Sequence, residues 1–142
     1  FLEVFREAEH LRATPDGRRN FEHFARGLTP TALHHIDSPT SLVNSLKYID
    51  SSEVAANSAI NFTLPFTPEH ADTFAAFVKT TADSATEALQ INCVTKETLL
   101  DAQKHPENYR DLVIRVCGYS AKFVALDERL QADIISRNFY SL

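Results

Sequence analysis

A change of hydrophobic period constrains this chain more than any other feature. Ile60, Phe62, Leu64 and Phe66 alternate with Asn61, Thr63 and Pro65, the pattern of a strand, and Leu89, Ile91 and Cys93 repeat it around Gln90 and Asn92. Between the two runs, Ala71, Phe74, Phe77, Val78, Ala82 and Ala85 fall at helical spacing. They follow Thr67-Pro68-Glu69, which supplies a capping hydroxyl, a proline for the first turn and an early acid. Strands alternating with helices over such short distances predict an α/β arrangement. On this reading the Phe74 and Phe77 stripe belongs to the core, and so does Cys93, which shares a strand face with Leu89 and Ile91.

The remaining elements follow from caps and breakers. Phe1 to Arg12 reads as a short amphipathic helix carrying Leu2, Phe5 and Ala8, stopped by the turn Thr14-Pro15-Asp16-Gly17. Arg18 to Pro39 reads as a long surface connection. Ser38-Pro39 then opens a helix through Leu42, Val43 and Leu46 toward Asp50. Thr95 caps a short helix through Leu99 and Leu100 that must end before Pro106, and Leu112 to Cys117 forms a third strand. Asp127 caps the last helix, with Leu130, Ile134, Ile135 and Phe139 on its apolar face.

Composition narrows the function. At 142 residues and 44% apolar content, residues 1–142 fit one domain with a core of its own. A formal charge of −5 offers no electrostatic footprint for nucleic acid or an anionic membrane. No apolar run approaches the roughly 18 residues of a membrane helix, and Phe1-Leu2-Glu3-Val4 has no leader-like character, so a soluble, cytoplasmic protein is expected. Cys93 and Cys117 form no CxxC clip and are expected as reduced thiols. The six histidines show no HxxxH or HExxH spacing, so no metal site is expected.

Glycine is scarce, with three in 142 residues against the about 7% of ordinary chains. Gly17 and Gly27 sit in turn or loop contexts. Gly118 instead interrupts the β-type run Val113-Ile114-Arg115-Val116-Cys117-Gly118-Tyr119-Ser120-Ala121-Lys122-Phe123. There it marks a bulge, a close backbone approach or a chemical role, and the bulge is the plainest of the three.

The segment Arg115-Val116-Cys117-Gly118-Tyr119-Ser120-Ala121 resembles the signature of the glycyl radical enzymes of the pyruvate formate-lyase-like family, in which a small residue precedes the radical glycine and an aromatic follows. The surroundings resemble that family in the same order. They comprise Pro15-Asp16-Gly17-Arg18, Pro39-Thr40-Ser41-Leu42, Gln90-Ile91-Asn92, Thr98 to Gln103 with His105-Pro106-Glu107-Asn108-Tyr109, and Leu130-Gln131 with Ile134-Ile135-Ser136-Arg137. The resemblance implies the C-terminal portion of an α/β barrel, with the glycine on a loop after a strand and a closing C-terminal helix. Residue 1 is Phe rather than Met, which leaves a fragment and a processed chain both open, and the resemblance implies the C-terminal fragment of a larger barrel enzyme.

Function is implied the same way. Gly118 would store an unpaired electron, with Arg115, Cys117, Tyr119 and Ser120 supporting its loop. Glycine suits this task because loss of one α-hydrogen leaves a planar carbon between an electron-donating amide nitrogen and an electron-withdrawing carbonyl, with no side chain to crowd the plane. The resemblance implies no bound cofactor. A radical S-adenosylmethionine iron–sulfur activating enzyme would install the radical, and a catalytic cysteine outside this segment, on the remainder of the barrel, would receive it. A small organic substrate, a homo-oligomer and oxygen-sensitive anaerobic chemistry are implied as well. Tyr119-Ser120-Ala121 is closer to the lyase, dehydratase and decarboxylase branches than to formate C-acetyltransferase itself, where Tyr-Ala-Val is expected. The alternatives are a stand-alone spare-part subunit that restores a damaged enzyme, or formate C-acetyltransferase itself. Arg115 is expected to pair with a carboxylate, and Gln90 and Asn92, on one strand face, to satisfy backbone groups.

Overall fold

The computed structural model describes residues 7–30, 36, 38–50, 53, 59–83, 88–137 and 139–140. Its elements run α1 (Pro39–Leu46), β1 (Ala59–Thr63), α2 (Ala71–Ala82), β2 (Ala88–Asn92), α3 (Lys96–Lys104), β3 (Val113–Arg115), β4 (Ser120–Lys122) and α4 (Glu128–Ser136). Three hydroxyl or carboxylate caps act as the sequence predicts. Ser38 accepts from the Ser41 N–H, Thr95 from the Thr98 N–H and Asp127 from the Leu130 N–H, each satisfying an orphan donor of a first helical turn. Thr67 differs: the chain enters α2 through a 3-10 turn over Pro68–His70, and the Thr67 hydroxyl lies 3.1 Å from His70 Nδ1 instead of capping the helix.

The strands form two separate two-stranded sheets, and the described residues close no barrel. β1 and β2 are parallel, in register from Ala59 opposite Ala88 to Thr63 opposite Asn92, with α2 as their crossover. Four of the five β1 residues are buried, the pattern of a parallel strand covered on both faces rather than the expected alternation. Its far edge is used too: Thr63 bridges Phe139, and the Tyr140 N–H donates to the Thr63 carbonyl at 3.0 Å. β3 and β4 form an antiparallel hairpin.

Two apolar clusters support these sheets. Leu42, Val43, Leu46, Ile60, Phe62, Leu64, Phe77 and Tyr140 make the first, with Phe62 edge-on to Phe77 and Tyr140. The second, Val94, Leu99, Ala102, Ile114, Val116, Phe123, Leu130, Ile134 and Ile135, lies beneath the hairpin. Gln131 Nε2 donates to the carbonyls of Phe123 and Leu126 at 3.1 Å each and ties α4 to the hairpin's exit.

Several expectations need correction. The first strand stops at Thr63, where the ladder ends, so Leu64 is buried outside it and Phe66 is exposed against Phe74. In α2, Ala71 and Ala82 are exposed while Thr81 is fully buried, because its hydroxyl is satisfied by the Phe77 carbonyl at 2.8 Å; Ala85 lies outside the described residues. Cys93 is exposed, since β2 ends at Asn92 and the alternation lapses there. The first helix stops at Leu46, and the last at Ser136, which leaves Phe139 to the β1 edge. Of the proposed helix from Phe1 to Arg12, residues 1–6 lie outside the described set and only Glu7 and Ala8 are helical. The connection after Arg18 is not wholly superficial either, because Arg18 and the Arg26 side chain are buried.

Candidate functional site

Gly118 sits at the tip of the β3–β4 hairpin. The register pairs Val113 with Lys122, Ile114 with Ala121 and Arg115 with Ser120, and the Val116 N–H donates to the Tyr119 carbonyl at 2.9 Å. Cys117-Gly118 is thus a two-residue turn. Gly118 has φ +72°, whereas Cys117 stays in the ordinary negative range. The geometric expectation of a bulge in one continuous strand is corrected to a turn, and positive φ explains a glycine at its second position. A Cβ built at Gly118 would meet nothing within 4 Å, and the residue is exposed. Crowding is not what selects glycine here.

The turn is held by polar side chains. Asn92, at the end of β2, accepts from the Arg115 N–H through Oδ1 at 2.6 Å and donates through Nδ2 to the Arg115 carbonyl at 2.8 Å. One amide thereby replaces a missing rung of β-ladder between the two sheets. Gln90, two residues earlier and so on the same strand face, accepts the Gly118 N–H through Oε1 at 3.1 Å. Its extra methylene lets it reach further along the hairpin than Asn92. Both residues satisfy backbone groups, as the sequence predicts.

From the opposite side, Arg137 Nη1 donates to the Val116 carbonyl at 2.8 Å and Nη2 to Asp133 Oδ2 at 3.2 Å. Arg26 Nη2 lies 2.6 Å from Asp133 Oδ1, with His23 Nδ1 3.5 Å from the same oxygen. Asp133, Arg26 and Arg137 keep only 6%, 10% and 12% of their side chains exposed. Burial first, and then the neighbouring Arg26, push the Arg137 guanidinium below its ordinary value, while Asp133 pulls it back up. Asp133 therefore compensates two desolvated cations. Sequence reading missed this cluster, although Asp133 and Arg137 at i,i+4 spacing were visible as a pair.

This arrangement carries a stability prediction. Asp133→Asn removes the charge but not the shape, and leaves two buried guanidiniums uncompensated, a change that typically costs about 3–5 kcal/mol. A cleft of about 230 Å³ lined by Arg26, Asn61, Asp133 and Arg137 admits water to the cluster, so the lower end, about 3 kcal/mol, is expected. Denaturant unfolding measures it; a loss below about 1 kcal/mol would mean the cluster is solvated like a surface pair.

The other site residues are dispersed around the turn. The Arg115 guanidinium reaches the Ser120 hydroxyl at 3.4 Å, a cross-strand pair, instead of the carboxylate expected for it. Cys117 is half-buried and Tyr119 exposed. Among the described residues no group of three His, Cys, Asp or Glu could hold a metal ion.

Comparison with known proteins gives this geometry its context. The family described as glycine radical matches residues 24–124. The chain is 35% identical over 136 residues to (2S)-3-sulfopropanediol dehydratase of Klebsiella oxytoca, covering 90% of this chain and 16% of that protein. It is 37% identical over 135 residues to a probable dehydratase of Escherichia coli, covering 92% and 17%. Among solved structures, one concerning 1,2-propanediol dehydration in Roseburia inulinivorans aligns with a TM-score of 0.85 at 33% identity, over 98% of this chain and 18% of that one. The glycerol-bound form of the B12-independent glycerol dehydratase from Clostridium butyricum gives 0.85 at 30%, over 99% and 18%. The chain thus spans about a sixth of the length of the curated relatives it matches. No helix among the described residues is long and apolar enough to cross a membrane. On the match across residues 24–124, the chain belongs to the glycine radical family.

Proposed function

We propose that Gly118 is the radical-storing residue of a glycyl radical dehydratase or lyase, and that this chain supplies its C-terminal radical segment. The observation that carries the reading is a family match that spans Gly118, a glycine on a hairpin tip with open space where a Cβ would stand. An activating enzyme of the radical S-adenosylmethionine class takes one hydrogen atom from Gly118; the Cα–H bond breaks homolytically and one electron stays on the carbon. During turnover a cysteine outside this chain gives its thiol hydrogen back to that carbon, and the sulfur is left with the unpaired electron. The substrate is a small hydroxylated molecule that loses water or a similar leaving group, in keeping with the dehydratases among the relatives. The deciding measurement is electron paramagnetic resonance of the activated protein, with Gly118→Ala beside it.

Cys117 adjoins the radical carbon but has a simpler role. It is half-buried at the first position of the two-residue turn, where a small residue suffices. Cys117→Ala is expected to keep spin yield and turnover within about threefold of the parent, a barrier change below ~1 kcal/mol. Loss of turnover with the radical intact would make Cys117 the radical relay.

A further inference from the structure

Gly118 is not placed by packing. Nothing beyond its chain neighbours lies within 4 Å of where its Cβ would be, it is exposed, and with no side chain of its own it takes positive and negative φ about equally readily. What fixes it is hydrogen bonding on either side of its α-carbon's peptide. Asn92 holds both backbone groups of Arg115, Arg137 holds the Val116 carbonyl, and Gln90 accepts the N–H of Gly118 itself. Asn92 and Arg137 set where the hairpin arrives. Only the Gln90 bond acts on a group covalently attached to the reacting carbon.

We infer that Gln90 is a positioning residue for hydrogen-atom transfer at Gly118: by fixing the N–H direction it fixes the plane of the Cys117–Gly118 peptide, while the Val116 N–H holds the Tyr119 carbonyl on the other side, and between these two anchors the α C–H bonds are aimed. The inference rests on Gly118 being the radical site. Two physical consequences follow. Hydrogen-atom transfer requires the Cα–H bond to face the accepting atom at close range, and misplacement of a reacting atom by an ångström costs rate steeply. The second is electronic. A carbonyl oxygen accepting the N–H raises electron density on the nitrogen, which is the donor half of the donor–acceptor pair that stabilises the carbon radical. The strand supports the assignment, because β2 is paired along its length with β1 and presents Gln90 and Asn92 from a fixed backbone. In each transfer the atoms balance: the Cα–H bond breaks and the hydrogen leaves with one electron, or a thiol hydrogen returns with one and restores the bond.

The test uses the complete enzyme, anaerobically activated, with turnover expressed per unpaired spin. Gln90→Leu removes the acceptor, and Gln90→Asn keeps an amide but falls one methylene short, which covers the case in which leucine disturbs the strand. Both are expected to change the α-hydrogen splitting of the radical spectrum and to lower turnover per spin by about tenfold to a hundredfold. Gln90→Glu, which keeps an acceptor at full reach, is expected to retain the parent spectrum and most of the turnover. Gln90→Leu and Gln90→Asn with the parent's splitting and turnover per spin would overturn the positioning role. Gly118→Ala separates this failure from a deeper one: a radical that survives in that variant removes the radical assignment itself, whereas its loss there leaves only Gln90 in question.

Discussion

Replacing Gly118 with alanine is expected to abolish the organic radical completely while leaving the fold nearly as stable as before. The two halves of this result have different causes. The backbone at position 118 has φ +72°, so a Cβ carries the intrinsic cost of the left-handed region, about 1–2 kcal/mol. No steric cost is added, because the space around the position is open. The chemical consequence is far larger. A substituent on the α-carbon crowds the plane that the radical needs, and it replaces one of the two hydrogens from which the activating enzyme takes its atom. Activated parent protein should give a doublet from the remaining α-hydrogen, and Gly118→Ala no doublet at all, with both proteins unfolding within about 2 kcal/mol of each other. A radical of unchanged yield and splitting in the variant would place the unpaired electron elsewhere. A collapsed fold would show instead that glycine serves the turn alone.

Legibility in the sequence followed the range of the interactions concerned. The Ser38, Thr95 and Asp127 caps were readable because a cap joins residues three apart. The β1–α2–β2 unit was readable from its change of period. The hairpin was not, since Cys117-Gly118 is flanked by β-forming residues that hide a turn, and the positive φ that marks it is a property of the folded backbone. Cys93 failed for a related reason: alternation shows which face a residue would take, and it does not show that the ladder stops one residue earlier. At the site, the importance of Gly118 rested on resemblance, and Gln90 and Asn92 were understood as partners of backbone groups without any indication of which ones. Their actual partners lie 28 and 23 residues away. The Arg26–Asp133–Arg137 cluster needed the fold altogether, because Arg26 comes from a stretch that reads as surface connection.

Air is expected to cut the activated protein at Gly118 and nowhere else. A carbon radical combines with molecular oxygen, itself a diradical, with little barrier, and breakdown of the resulting peroxyl species severs the main chain at that carbon. Within this chain the tip is exposed, with open space on the side where a Cβ would stand. The piece beyond the cut starts at Tyr119 and contains β4 and α4. Phe123, Leu130 and Ile134 of that piece are buried in the cluster beneath the hairpin, and the Arg137 side chain still grips the Val116 carbonyl across the cut. Burying three such side chains is worth about 1.5–3 kcal/mol each, enough to keep the piece docked in native buffer. A native gel or size-exclusion column should therefore show an apparently intact protein, and denaturing mass spectrometry should show two pieces meeting at Gly118. Protein that was never activated should stay whole through the same exposure. The cut should scale with spin content and vanish in Gly118→Ala. Cleavage of unactivated protein at the same point would reveal ordinary proteolysis of an exposed turn, and a whole chain in air-exposed protein of verified spin content would count decisively against storage of the radical at Gly118.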